Sequence, residues 1–129
     1  MARKPLEFFT ICARNYAGQA RTLAESISAQ HPEAKLTVWL LEEGPLPSAF
    51  DELHTRDIRE LFTKEQYQEL RLRYNVMEFC TTVKPACFQR HFAEGAEQVI
   101  YLDPDIYLFR PLTHVTELMD KGAGGVLTP

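Results

Sequence analysis

Asp103-Pro104-Asp105 places two carboxylates two residues apart, directly after the apolar run Val99-Ile100-Tyr101-Leu102. Aspartates this close repel each other unless solvent screens them or a cation lies between them. Hard oxygen donors of this kind suit Mg2+ or Mn2+ in company with a phosphate-bearing substrate. At the carboxyl end of a buried strand the pair would stand on the edge of an open α/β sheet, where ligands bind. Asp and Pro are also common turn formers, and a polar turn joining two strands, Val99–Leu102 and Ile106–Phe109, accounts for the spacing equally well. The sequence has no GxGxxG turn and no Walker loop, so backbone amides are not the obvious phosphate cradle, and a metal would do that work. Gly122-Ala123-Gly124-Gly125 reads as a connector, because no helix follows it. Cys87 and His91 stand four apart on one helix face, but with Cys80 they lack a fourth ligand and any CxxC, which argues against zinc. Three cysteines, Cys12, Cys80 and Cys87, fit buried reduced thiols better than a disulfide framework.

These residues need a scaffold. Leu6 to Ala13 is apolar, aromatic or β-branched for most of its length and reads as a central strand buried on both faces. Tyr16, Ala20, Leu23, Ala24 and Ile27 then follow one face of a 3.6-residue period, with Asn15 as N-cap and His31-Pro32 as the stop. Lys35 to Leu41 is a second buried strand, which completes a βαβ unit. Further on, Phe50 to Thr55 reads as a short third strand and Lys64 to Tyr74 as a charged helix. A second helix runs from Val83 to Ala93, starting no earlier than about Val83 because Pro85 is tolerated only in a first turn, and stopping at Gly95. Val115, Leu118 and Met119 mark a short amphipathic piece, and Val126 to Thr128 a last strand-like run. The expected fold is α/β, with a mostly parallel sheet flanked by helices and the Asp-x-Asp strand at its centre.

The chain has 129 residues, 45% hydrophobic, 25% charged and 11% aromatic, the make-up of one ordinary globular domain. Its formal net charge is −4 and no window gathers a basic stripe, which excludes a nucleic acid polymer as partner. No apolar run approaches the roughly 20 residues of a membrane span. The positive start Met1 to Pro5 is not followed by an apolar stretch and cleavage site, so the expected location is cytoplasmic.

The stretch Val99-Ile-Tyr-Leu-Asp-Pro-Asp-Ile-Tyr-Leu-Phe-Arg-Pro-Leu112 resembles the Asp-x-Asp signature of sugar-nucleotide-dependent glycosyltransferases with the GT-A fold, particularly the group of glycogenin and the bacterial lipopolysaccharide galactosyltransferases. Thr10-Ile-Cys-Ala-Arg-Asn-Tyr-Ala17 with its amphipathic helix resembles that family's first strand and nucleotide-contacting turn, and Thr82-Val-Lys-Pro85 the segment heading the helix before the motif. The resemblance implies a Rossmann-like GT-A fold and a nucleotide-sugar donor, a UDP-sugar foremost. It implies that Asp103 and Asp105 hold the divalent cation, Mn2+ or Mg2+, with Asp103 also facing the ribose. By the same likeness Asn15 and Tyr16 face the nucleoside and Lys84 lies near the donor's sugar and phosphates. Ala13 stands in the donor site where several relatives carry an acidic residue that holds the base, so the nucleotide is open. The family's third metal ligand, typically a histidine, and its acceptor pocket come from the second half of a domain roughly twice this long. None of His31, His54, His91 and His114 matches that ligand. The implied picture is a single domain, residues 1–129, that is the N-terminal donor-binding part of a hexosyltransferase-like enzyme, inactive alone and prone to self-association through apolar surface left uncovered.

Two other readings use the same residues. The chain could hold nucleotide and metal without catalysing transfer. It could also be a haloacid-dehalogenase-like phosphatase with Asp103 as nucleophile and Asp105 as general acid. That pattern wants Thr or Val where Tyr107 stands, and wants the motif on the first strand.

Overall fold

The computed structural model of the protein describes residues 5–41, 44–122 and 124–127. Strand β1 (Glu7–Cys12) passes through a 3-10 turn (Arg14–Tyr16) into helix α1 (Ala17–Gln30) and returns as strand β2 (Lys35–Leu40). After a 3-10 turn at Ser48–Phe50 come β3 (His54–Asp57), a further 3-10 turn (Ile58–Leu61), and helices α2 (Lys64–Arg73) and α3 (Val76–Ala93). Strand β4 (Val99–Tyr101) and helix α4 (Thr113–Asp120) complete the described elements. The sheet is parallel throughout, in the order β3-β2-β1-β4, with Phe9 opposite both Thr37 and Tyr101. The Asp-x-Asp strand therefore lies at an edge of the described sheet, and β1 and β2 are central.

Strand alternation sorts the core into two layers. Phe9 and Ile11 of β1 and Trp39 of β2 pack with Phe79, Val83 and Cys87 of α3. Phe8 packs with Leu23 and Ile27 of α1, and Cys12 and Val38 with Ala17 and Ala20. Side chains that point to opposite faces along a strand thus each meet a helix, and both faces of the sheet are covered. Phe8 and Phe9 are fully buried, each contributing on the order of 1.5–3 kcal/mol of apolar transfer.

Several sequence expectations shift. The third strand starts four residues later than expected: Ser48–Phe50 turns first, the buried Phe50 plugs the α1 face, and Glu52 adopts φ +68 before β3 begins. Helix α3 starts seven residues before Val83 and carries Pro85 in its interior. Asn75 explains the early start. Its Oδ1 accepts from the Glu78 amide at 2.9 Å while its own amide donates to Glu78 Oε2 at 3.0 Å, a capping box that stabilises the first turn well ahead of the proline. Pro85 then removes only the single bond to the Thr81 carbonyl. A matching box, Thr63 with Gln66, starts α2. At the other end of α3, Gly95 (φ +104) lets Ala96 N donate to His91 O and Gly95 N to Phe92 O, both at 3.0 Å, the Schellman closure that only glycine makes without strain.

Ile106–Phe109 is no strand. Its backbone is claimed by α1: Leu108 N donates to Ser26 Oγ at 3.1 Å and Gln30 Nε2 to Phe109 O at 3.2 Å, and just beyond it Leu112 N donates to Nε2 of His31, the residue that ends α1, at 2.9 Å. Val126 and Leu127 have no regular structure, and Thr128 lies outside the described residues.

Candidate functional site

Because the four strands are parallel, Cys12, Leu40, Asp57 and Tyr101 all end at one edge of the sheet. There Leu102 N makes one more bond to Phe9 O, at 3.1 Å, and the chain turns, Ile106 N donating to Asp103 O at 3.1 Å. Asp at the first position and Pro at the second suit such a turn. The aspartate pair thus lies in a turn, with no second strand after it among the described residues, and that turn presents both carboxylates to solvent at the carboxyl edge.

Asp103 is not isolated. Tyr101 donates its phenolic O–H to Asp103 Oδ1 at 2.9 Å, and Lys84 Nζ of α3 lies 4.3 Å above the centroid of the same ring. Burial, and then the hydrogen bond and negative charge of Asp103, push the Tyr101 hydroxyl far above its ordinary range, so it stays a donor. The thiol of Cys80 on α3 feels both partners: burial raises its pKa most, Lys84 pulls it down and Asp103 pushes it up. Asp103 and Lys84 therefore both meet Tyr101, a residue that the motif reading did not include. Tyr101 had a signal: it stands two before Asp103, hence on the same side of an extended chain. Asp105 is exposed and has no hydrogen bond or ion pair among the described residues.

Ala13, Asn15 and Tyr16 sit in the turn that leaves β1 at the same edge. Asn15 is not the N-cap it was expected to be. The 3-10 turn intervenes, with Tyr16 N bonded to Ala13 O at 3.1 Å, so the capping position of α1 falls on Tyr16 and no side chain caps it. Tyr16 is 42% exposed and does not begin the buried helical face, which starts at Ala17. Both side chains are left displayed to solvent. Arg14 Nη1 donates to Pro45 O at 3.3 Å, which draws the 44–45 loop alongside. Gly44, at φ +120, admits the guanidinium where any Cβ would collide with it. No hydrogen bond or ion pair joins Asn15 or Tyr16 to Lys84 or Asp103 among the described residues.

Ala13 also lines an open groove of about 1390 Å³ that runs from the β1 turn toward α2 and the start of α3, between Leu41, Asp57, Arg59, Tyr67 and Phe79. Tyr67 O–H donates to Leu41 O at 3.0 Å, and its ring meets Phe79 edge-on at 5.9 Å. Asp57 accepts from Arg59 N at 2.8 Å and from the Arg59 guanidinium. Asp103, Asp105, Lys84, Asn15 and Tyr16 do not line this groove.

Other reactive groups are committed elsewhere. Burial pushes the Cys12 and Cys87 thiols up to about 12, which leaves them as unreactive core residues. Trp39 Nε1–H, a donor only, gives its proton to His91 Nε2 at 3.1 Å, so the other ring nitrogen donates to Glu7 Oε1 at 2.8 Å. With both nitrogens used and 2% exposure, His91 has nothing to offer zinc.

Among the described residues no group of three or more His, Cys, Asp or Glu could enclose a metal. A pair of hard carboxylates fits Mg2+ or Mn2+ in another way, since these ions bind through one or two carboxylates and fill their remaining positions with water and substrate phosphates.

No protein-family model matches the sequence, and no curated protein matches it. Solved structures do. A crystal structure of the galactosyltransferase LgtC in complex with donor and acceptor sugar analogues aligns with 84% of this chain at 18% identity and a TM-score of 0.53. An active-site variant of LgtC aligns over the same 84% at 19% identity and the same score. In both, the match covers 41% of the LgtC chain, so the present chain spans less than half the length of those proteins. The likeness shows the fold: a Rossmann-like α/β sheet of the GT-A glycosyltransferase kind.

Proposed function

We propose that this chain binds the nucleotide-sugar donor of a GT-A glycosyltransferase, with Asp103 and Asp105 holding a divalent cation, Mn2+ or Mg2+, against the donor's phosphates. The observation that carries the reading is the Asp103-Pro104-Asp105 turn, which displays two carboxylates at the carboxyl edge of a parallel sheet whose fold is shared with a galactosyltransferase. When bound, the cation would offset the phosphate charge and stabilise the departing nucleoside diphosphate. The chain's own residues orient and recognise. Lys84 brings a positive charge over the ring of Tyr101, whose hydroxyl meets Asp103, and is suited to donor phosphates or the polar face of the sugar. Asn15 and Tyr16 offer an exposed amide and an aromatic face to the nucleoside, and Ala13 leaves room at the mouth of the adjoining groove. A UDP-sugar is the proposed donor and a hexose the proposed transferred group.

Calorimetric titration with UDP, with and without Mn2+, tests this. Binding should require Mn2+ and should be lost in Asp103→Ala and in Asp105→Ala. Equal binding in the presence and absence of metal, or substitutions without effect, would overturn it.

A further inference from the structure

An exposed aspartate on a turn has two loose side-chain torsions, and a cation that recruits it must first freeze them. Asp103 is exposed on such a turn, yet one of its oxygens is already held by the Tyr101 hydroxyl at 2.9 Å. The holder is itself fixed. Tyr101 ends β4, its ring lies 5.1 Å from Phe9 of β1 on one side, and Lys84 Nζ lies 4.3 Å from its centroid. Phe9 is fully buried in the central strand. The position of the phenolic oxygen is therefore set by the sheet and α3 rather than by the turn that bears the aspartate.

We propose that Tyr101 is the positioning residue of the site: its O–H, held by Phe9 and Lys84, orients the Asp103 carboxylate for the cation. The inference rests on the reading of Asp103 as a metal ligand given above and adds the residue that prepares it. Four features distinguish this from ordinary packing. A half-buried ring at this place would pack equally well as phenylalanine, and the hydroxyl's hydrogen bond goes to Asp103. A bond from a neutral O–H to a carboxylate is charge-assisted and stronger than one between neutral groups. A cation over the ring face draws electron density from the ring, which makes the phenol a better donor. Only one carboxylate oxygen of Asp103 is engaged among the described residues, which leaves the second for the cation.

The test uses the 129-residue chain and Mn2+ itself, followed by electron paramagnetic resonance, with Tyr101→Phe and Asp103→Asn beside the native protein. Removing a partner that orients a metal ligand costs about 10- to 100-fold in metal affinity. Tyr101→Phe should weaken Mn2+ by about tenfold or more and broaden the spectrum of the bound ion, with the metal-free melting temperature unchanged. Asp103→Asn should abolish binding. Native affinity and spectrum in Tyr101→Phe, alongside lost binding in Asp103→Asn, overturn this inference and leave the site reading standing. A loss of affinity matched by a fall in metal-free stability makes the role structural and overturns it too. Mn2+ binding that survives Asp103→Asn, or is absent from the native chain, overturns the site reading and this inference with it.

Discussion

Thr10 sits on β1 with no exposure, and its hydroxyl has no hydrogen-bond partner among the described residues. An unpartnered buried hydroxyl carries its desolvation cost with nothing to offset it. Thr10→Val keeps the β-branched shape and removes that group, so it should stabilise the protein by about 1 kcal/mol, seen as a higher midpoint in urea unfolding. A lower midpoint would mean that the hydroxyl is satisfied in solution. The contrast with Tyr101 and His91 is instructive at this scale. Residue type and spacing in the sequence point to Asp103 and Asp105, and the two-residue step of an extended chain would have added Tyr101. Nothing in the sequence pairs His91 with Trp39 and Glu7, which lie 52 and 84 positions away, because that pairing depends on α3 crossing the sheet.

Helix ends carry the next scale. His31 closes α1, half-buried with its ring 5.5 Å from Phe8, and its Nε2 accepts from Leu112 N at 2.9 Å. Burial lowers its pKa below the ordinary value near 6.5, so the folded state keeps the ring neutral where the unfolded chain would protonate it. The contribution is complete above about 6.5 and is lost as pH falls through the depressed folded value, because in that window the unfolded state binds more protons. Stability should therefore decline as pH falls below about 6.5 more steeply in the native chain than in His31→Gln, measured by urea unfolding at several pH values. Parallel slopes would count against it. The helix starts show what was legible. Thr63-x-x-Gln66 and Asn75-x-x-Glu78 are capping boxes written in the sequence, and reading the second would have corrected the start of α3. The proline drew the boundary to the wrong place because its cost is local, whereas the cap and the buried row Phe79, Val83, Cys87 and His91 act over the whole helix.

For the molecule as a whole, the uncovered surface matters most. Phe109 is 81% and Leu127 94% exposed, with Ile106, Tyr107 and Val126 also presented to solvent. Tyr107 and Phe109 pack on each other at 4.8 Å just beyond the aspartate turn. An exposed aromatic pair of this kind favours contact with another surface. Sedimentation velocity should show association that grows with protein concentration and weakens in Phe109→Ser. A monomer over the whole concentration range would refute this. Among the described residues no helix is long and apolar enough to cross a membrane.

By itself the sequence determined the parallel α/β plan, since continuous apolar strands alternating with amphipathic helices bury both faces of a sheet and admit little else. It also marked the aspartate pair, because that chemistry is local. The tertiary structure decided that β4 lies at the described edge of the sheet, that Ile106–Phe109 is bound to α1 instead of pairing as a strand, and that Lys84 lies over the Tyr101 ring whose hydroxyl holds Asp103. Each of these depends on contacts between segments far apart in the chain, which local pattern does not encode.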